Sequence, residues 1–421
     1  MKRLALLVLA AGLAGAAPPP SSQARAAAFY DEIAKQRTDV GFAGGTFTGP
    51  GAGVIAKAVE GTQYVMIGED HGIAEIPAFS TALCRTVAPQ GYHTLAVETG
   101  PSTARVLGAA LATQNPPANI AAYDAQHPFS IAFYDFSEEF AFLQACRQAM
   151  GVDRFALWGL DQELMGSSGA LLAATAAAIP PAQSAAKAQL EQFQAEDSAD
   201  LAKAMKSGSP GDMSMVNLKE TDLAALKTQL NAAGISTPQL DEFIVSENIY
   251  HENTMGDQKS NLDRTQLHRY HFVAGDRAAF ANTGDHPKVL VKMGAYHLFE
   301  GISMLGDREL GNFLAEYAAL QGQKTLNLLV LGAKGEQLAF AGMGRPYAPV
   351  PLDLLHDKRA DFAFLAPFFK NLGATPVLYD LRELRRPFAR SGFQSVDLSH
   401  VIDGYDLLVV IPTPHPSHQV S

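Results

Sequence analysis

The strongest constraint on this chain is a set of short apolar runs, each of which stops abruptly at glycine and ionisable residues. Tyr64-Val65-Met66-Ile67, Thr94-Leu95-Ala96-Val97, Phe155-Ala156-Leu157-Trp158 and Lys288-Val289-Leu290-Val291-Lys292-Met293 are strand candidates. Ile76 to Val87 and Glu138 to Met150 carry apolar residues at helical spacing and separate the first three runs. A strand with no polar face must be covered on both sides, as in a parallel sheet. Strand–helix–strand alternation therefore predicts an α/β fold with a mostly parallel central sheet flanked by helices. Thr325 to Leu331 and Tyr405 to Ile411 read as further buried strands.

The pattern is interrupted once. From about 166 to 270 the chain is rich in Ala and Gln and offers no strand candidate. Pro180-Pro181 and Gly208-Ser209-Pro210-Gly211 cut it into helical pieces, which predicts a helical cap inserted at about 166–260. The segment 348–373 is mixed, and 414–421 is expected to fray. At 421 residues the chain exceeds the size of one ordinary core. Its polar strand ends come from both sides of the insertion, so a single domain over 27–421 is expected rather than two.

The N-terminus has its own logic. Met1-Lys2-Arg3 precedes the apolar run Leu4 to Ala17, which meets Pro18-Pro19-Pro20. A basic start, a short apolar stretch and small residues before a break describe a secretory signal peptide over 1–26, with cuts near Ala17 or after Ala26. Export to the periplasm or medium is the resulting expectation. No later run is long and apolar enough to span a bilayer, so no stable membrane span is expected after cleavage. Oxidising surroundings would let Cys84 and Cys146 pair, provided their Cα atoms lie within about 7 Å. Two cysteines exclude a disulfide scaffold and a four-cysteine zinc site. A net charge of −11 argues against a general nucleic-acid binder. With 47% hydrophobic and 18% charged residues the chain is not a disordered one.

The residues that close the strands carry the chemistry. After Ile67 come Gly68-Glu69-Asp70-His71-Gly72, after Val97 Glu98-Thr99-Gly100, after Trp158 Gly159-Leu160-Asp161-Gln162-Glu163, and after Met293 Gly294-Ala295-Tyr296-His297. In a parallel sheet these ends share one edge, where ligands of open α/β sheets bind. His71 and His297 thus converge with Glu69, Glu98 and Asp161. A histidine held by a carboxylate can act as general base on water, and the same groups could hold a divalent cation. In the helical stretch Asn261 to His271, Arg264, His268 and His271 fall on one face, and Arg264 is suited to a developing oxyanion. Other motifs are incomplete. His251-Glu252-Asn253-Thr254-Met255 lacks the second zinc-protease histidine. Ser184-Ala185-Ala186-Lys187 lacks the companion motifs of the penicillin-binding enzymes.

These motifs, in this order, resemble those of the erythromycin-esterase-like and ChaN-like superfamily, over roughly residues 60 to 300. The resemblance implies an α/β core with helical additions and a cleft built from two Glu and two His, here Glu69, His71, Glu98 and His297. It also implies an arginine-bearing helix before the last histidine motif, here carrying Arg264. Two positions depart from the esterases. One residue, Asp70, separates Glu69 from His71, as in the haem-binding branch, and Glu300 stands near where an arginine is usual. The expected function is an exported hydrolase of an ester, lactone or amide, acting on a small-molecule or peptide substrate. His71 or His297 would activate water, and Glu69 and Glu98 would orient the base or hold a metal. Asp161 and Arg264 complete the expected catalytic set. The expected cofactor is none or one divalent metal on Glu69, His71, Glu98 and His297. The alternatives are a periplasmic haem- or metal-binding protein and a metal-dependent protease of the same superfamily.

Overall fold

The computed structural model describes residues 21–217, 220–344, 347–358 and 360–420. The basic and apolar parts of the expected signal peptide lie outside these residues. The main sheet contains β1 (Arg37–Asp39), β2 (Thr62–Glu69), β3 (Tyr92–Val97), β4 (Ala156–Gly159), β5 (Lys288–Gly294) and β6 (Lys324–Gly332). A hairpin of β7 (Lys334–Phe340) and β8 (Tyr347–Asp353) stands apart from it, and β9 (Val377–Asp380) and β10 (Leu407–Ile411) complete it. The strand order is β1-β9-β10-β6-β2-β5-β3-β4. All neighbours from β10 to β4 run parallel, and β9 runs antiparallel to both β1 and β10.

Every residue of β2 is buried, as its apolar run requires of a central strand covered on both faces. The register aligns the strand ends. Glu69 lies opposite Gly294, and Val97 lies opposite both Lys292 and Gly159. The polar residues after each strand therefore emerge along one edge. Helices Glu75–Val87 and Ser137–Met150 pack together and are joined by a Cys84–Cys146 disulfide with a Cα–Cα distance of 5.6 Å. The cross-link spans 62 residues. A loop of that length stabilises by about 4 kcal/mol on the chain-entropy account.

Between β4 and β5 the described chain makes helices only, from Ser168–Ala178 to Lys259–Thr283. Most of them bury an apolar cluster of their own, with Leu171, Leu190, Phe193, Leu226 and Phe243 at its centre. The last returns to the sheet, where Phe272 meets Tyr64 and Trp158 edge-on at 5.2 and 5.7 Å. No helix of the described residues is long and apolar enough to cross a membrane.

Two features differ from expectation. The β7–β8 hairpin gives no strand signal in the sequence, because it is half exposed and carries Pro349 and Pro351. It clamps the loop after β2, with the Leu338 amide donating to the Gly72 carbonyl at 2.8 Å. Gly72 has φ +77°, and a Cβ there would stand 2.1 Å from the Leu338 oxygen, so only glycine fits. The C-terminal tail is docked through residues 414–420. The Ser417 amide donates to Gly72 and the Val420 amide to Asp135, while His415 and His418 pair with Glu75 and Glu138. The two histidines lie 340 and 280 positions from their partners, beyond any local signal.

Candidate active site

The edge formed by β2, β3, β5 and their loops opens into a cleft of about 600 Å³. Glu69, His71, Glu98, Arg264 and His297 all line it. Its outer wall comes from Phe133, from Gln337 and from residues between 351 and 362, not from the cap helices that precede Arg264.

Glu98 is the common partner. Its Oε1 accepts from Arg264 Nη2 at 2.8 Å, and its Oε2 accepts from the Gly294 amide. His71 Nε2 lies 3.3 Å from Oε2, and His297 Nε2 lies 3.5 Å from Oε1. Burial alone would raise the Glu98 carboxyl, but His71, His297 and Arg264 outweigh it and hold the group far below the carboxylate range. Gly294 makes the approach possible, since a Cβ there would stand 2.8 Å from His71 Nε2.

His71 is bracketed. Its Nδ1 faces Glu69 Oε1 at 3.0 Å while its Nε2 faces Glu98. Burial disfavours the charged ring, yet the two carboxylates prevail and push it up to about 10, so it is an imidazolium at neutral pH. Phe133 stacks on it with centroids 3.8 Å apart and planes 11° apart, which suits a cation. The Phe133 backbone sits in the left-handed region, with φ 61°, a conformation that costs a bulky side chain energy and that the surrounding contacts must hold.

Asp161 organises the arginine helix. Arg264 donates to it through Nε at 2.9 Å and also through Nη2, and His268 Nε2 lies 2.9 Å from Oδ1. Burial would raise the Asp161 carboxyl, but Arg264 and His268 hold it well below its ordinary value. The third residue of that helix face, His271, bonds the Leu160 carbonyl through Nδ1 at 2.9 Å. Glu163 turns away from the cleft and caps helix Pro101–Leu111, accepting from the Ser102 amide at 2.6 Å.

Three groups in this network have no counterpart among the expected site residues. Lys292 is fully buried and donates to Glu69 at 2.6 Å and to Glu139 at 2.7 Å. A lysine inside an otherwise apolar strand is the signal that could have found it. Burial and the neighbouring Glu69 push the Glu139 carboxyl up to about 7 against the pull of Lys292. Glu309, also fully buried, faces His297 Nδ1 at 3.4 Å and accepts from Thr265 at 2.6 Å and Asn261 at 3.0 Å. The turn carrying His297 is pinned from below, where Tyr405 donates to the Ala295 carbonyl and Asn327 to that of Leu298.

The fold has solved counterparts. An erythromycin esterase mutant in its open conformation superposes with a TM-score of 0.60 at 15% identity, covering 88% of this chain and 95% of that one. A succinoglycan biosynthesis protein matches with a TM-score of 0.60 at 14% identity, covering 93% and 97%. A Bacillus cereus protein does so at 14% identity, covering 96% and 100%, with the same TM-score of 0.60. No protein-family model matches the chain, and no curated protein matches it in sequence. The likeness expected from the strand-end motifs thus holds for the fold.

Lys292→Met tests the buried network. It leaves Glu139 without its cation and Glu69 with His71 alone, and is expected to cost about 3–5 kcal/mol in urea unfolding. Adding Glu139→Gln should recover part of that loss. Unchanged stability in the single variant would show that Lys292 does not hold Glu69.

Proposed function

We propose that the protein is an exported hydrolase that cleaves an ester, lactone or amide with water activated at His297. The observation that carries this reading is the asymmetry of the two cleft histidines. His71 faces a carboxylate through each nitrogen and is a cation, so it is unsuited to take a proton. His297 faces Glu309 through Nδ1. In the neutral ring that contact places the proton on Nδ1 and leaves Nε2 as the acceptor. Nε2 stands 3.5 Å from Glu98, beyond a good hydrogen bond, and can accept from a water in the cleft.

The order of events is set by those positions. His297 Nε2 takes a proton as the water oxygen bonds to the substrate carbonyl carbon. The new imidazolium lies between Glu309 and Glu98, which stabilise its charge. Arg264 and His71 supply the positive field for the oxyanion. The bond to the leaving group breaks as the His297 imidazolium gives it the proton taken from water. That transfer leaves His297 neutral and restores the starting state, while Glu98 faces both rings and keeps His71 charged. Glu69, held by Lys292, and Asp161, held by His268, keep His71 and Arg264 in place. Water and substrate give one acid and one alcohol or amine.

Export is supported by one further observation. The Cys84–Cys146 disulfide suits an oxidising compartment. Helix Ser22–Lys35 starts at Ser21, whose side chain caps it, and buries Phe29 and Ile33. Cleavage near Ala17 would leave that helix whole, whereas cleavage after Ala26 would remove its first turn.

His297→Ala and His71→Ala are each expected to lower hydrolysis in an ester and amide panel by about 10²-fold or more. Activity retained in both would sink the site assignment. N-terminal sequencing of the protein recovered from the periplasm or medium should show a start near Pro18. An intact Met1 on protein recovered from the cytoplasm would contradict export.

A further inference from the structure

Beside the cleft, His268, His297 and Glu309 each bring one ligating atom within 4.8 Å of the others, and all three are buried. The trio shares His297 with the strand-end quartet but none of its other three residues. There His71 already faces carboxylates through both nitrogens, Lys292 pairs with Glu69, and Arg264 pairs with Glu98.

Ring protonation decides what the trio can bind. His268 Nε2 sits 2.9 Å from a carboxylate oxygen of Asp161, which assigns the ring proton to Nε2. Nδ1 is then a bare lone pair. It finds no hydrogen-bond partner among the described residues, although the residue is wholly buried. The residue is grouped with a second imidazole and a carboxylate, which bring further lone pairs. A metal-ligating histidine commonly gives its other N–H to a carboxylate. His268 has that partner in Asp161, and His297 Nε2 faces Glu98 at 3.5 Å. Glu309 is itself fixed by Thr265 and Asn261. Its oxygen stands 3.4 Å from His297 Nδ1. Two tetrahedral zinc ligands at ordinary bond lengths lie about 3.3 Å apart.

We propose that His268 Nδ1, His297 Nδ1 and a Glu309 oxygen bind one divalent transition metal of the zinc class. Two imidazoles and one carboxylate suit that class and leave a fourth position for water. Metal at Nδ1 moves the remaining His297 proton to Nε2. The ring then donates toward Glu98 and no longer accepts from water. This regulatory role rests on the hydrolytic reading, in which His297 is the base. On that reading the loaded protein is the silent form.

The test uses the mature protein, stripped with chelator and titrated with Co²⁺ and then Zn²⁺. One equivalent of cobalt should bind with the visible absorption of a tetrahedral site and be displaced by zinc. His268→Phe and Glu309→Gln should each weaken binding about a hundredfold or more, while His71→Asn keeps it. No binding by the stripped wild type overturns the site. So does loss of metal in His71→Asn with retention in Glu309→Gln, which would place the ion at the strand ends. Glu309→Gln decides the matter even where His268→Phe does not fold. Hydrolysis that persists at full zinc occupancy overturns the silencing, and a wild type with no hydrolysis overturns the hydrolase reading, while the cobalt spectrum still reports the site.

Discussion

Glu98 is the group on which the rest of the site depends. It directly follows a buried strand, and its charge is met by Arg264, His71, His297 and the Gly294 amide. A carboxylate taken out of water is tolerated only with such partners, and removing one partner of a buried pair costs several kcal/mol. The same condition spreads outward. Arg264 needs Asp161, Asp161 takes His268, His71 needs Glu69, and Glu69 takes Lys292. The cleft is therefore a chain of alternating charges seated on strand ends, and its geometry is fixed by charge balance as much as by packing.

That balance separates the two histidines by role. They share one carboxylate but differ in their second neighbour, which is Glu69 for His71 and Glu309 for His297. Phe133 covers His71 with a flat ring, whereas the His268 ring meets His297 edge-on at 4.9 Å. One ring is held as a cation at the cleft wall. The other keeps a nitrogen for water and lies within reach of a second, buried set of lone pairs. A proton acceptor and a metal ligand can be the same residue only if the two uses exclude each other.

Much of this is legible in the sequence where composition is locally extreme. The apolar runs locate β2, β3, β4, β5, β6 and β10, and parallel pairing then places Glu69, Glu98, Asp161 and His297 along one edge without any knowledge of contacts. Helical spacing puts Arg264 and His268 on one face, and both reach Asp161. Groups recruited from far along the chain are not legible. Glu139 and Glu309 sit on or beside helices and look like ordinary surface acids until the fold buries them against Lys292 and His297. The hairpin that walls the cleft is hidden by its prolines and partial exposure. The docking of the tail is equally invisible, because its partners Glu75 and Glu138 are set by topology alone.

Titration of the histidine rings by NMR, in the wild type and in Glu98→Gln, tests the central claim most directly. The wild-type His71 ring should stay protonated on both nitrogens until about pH 10. Loss of the Glu98 charge should bring its midpoint down by about a unit or more. A His71 ring that is neutral at about pH 8 in the wild type, well below the expected midpoint, or one whose midpoint is the same in both proteins, would contradict Glu98 as the hub of the site.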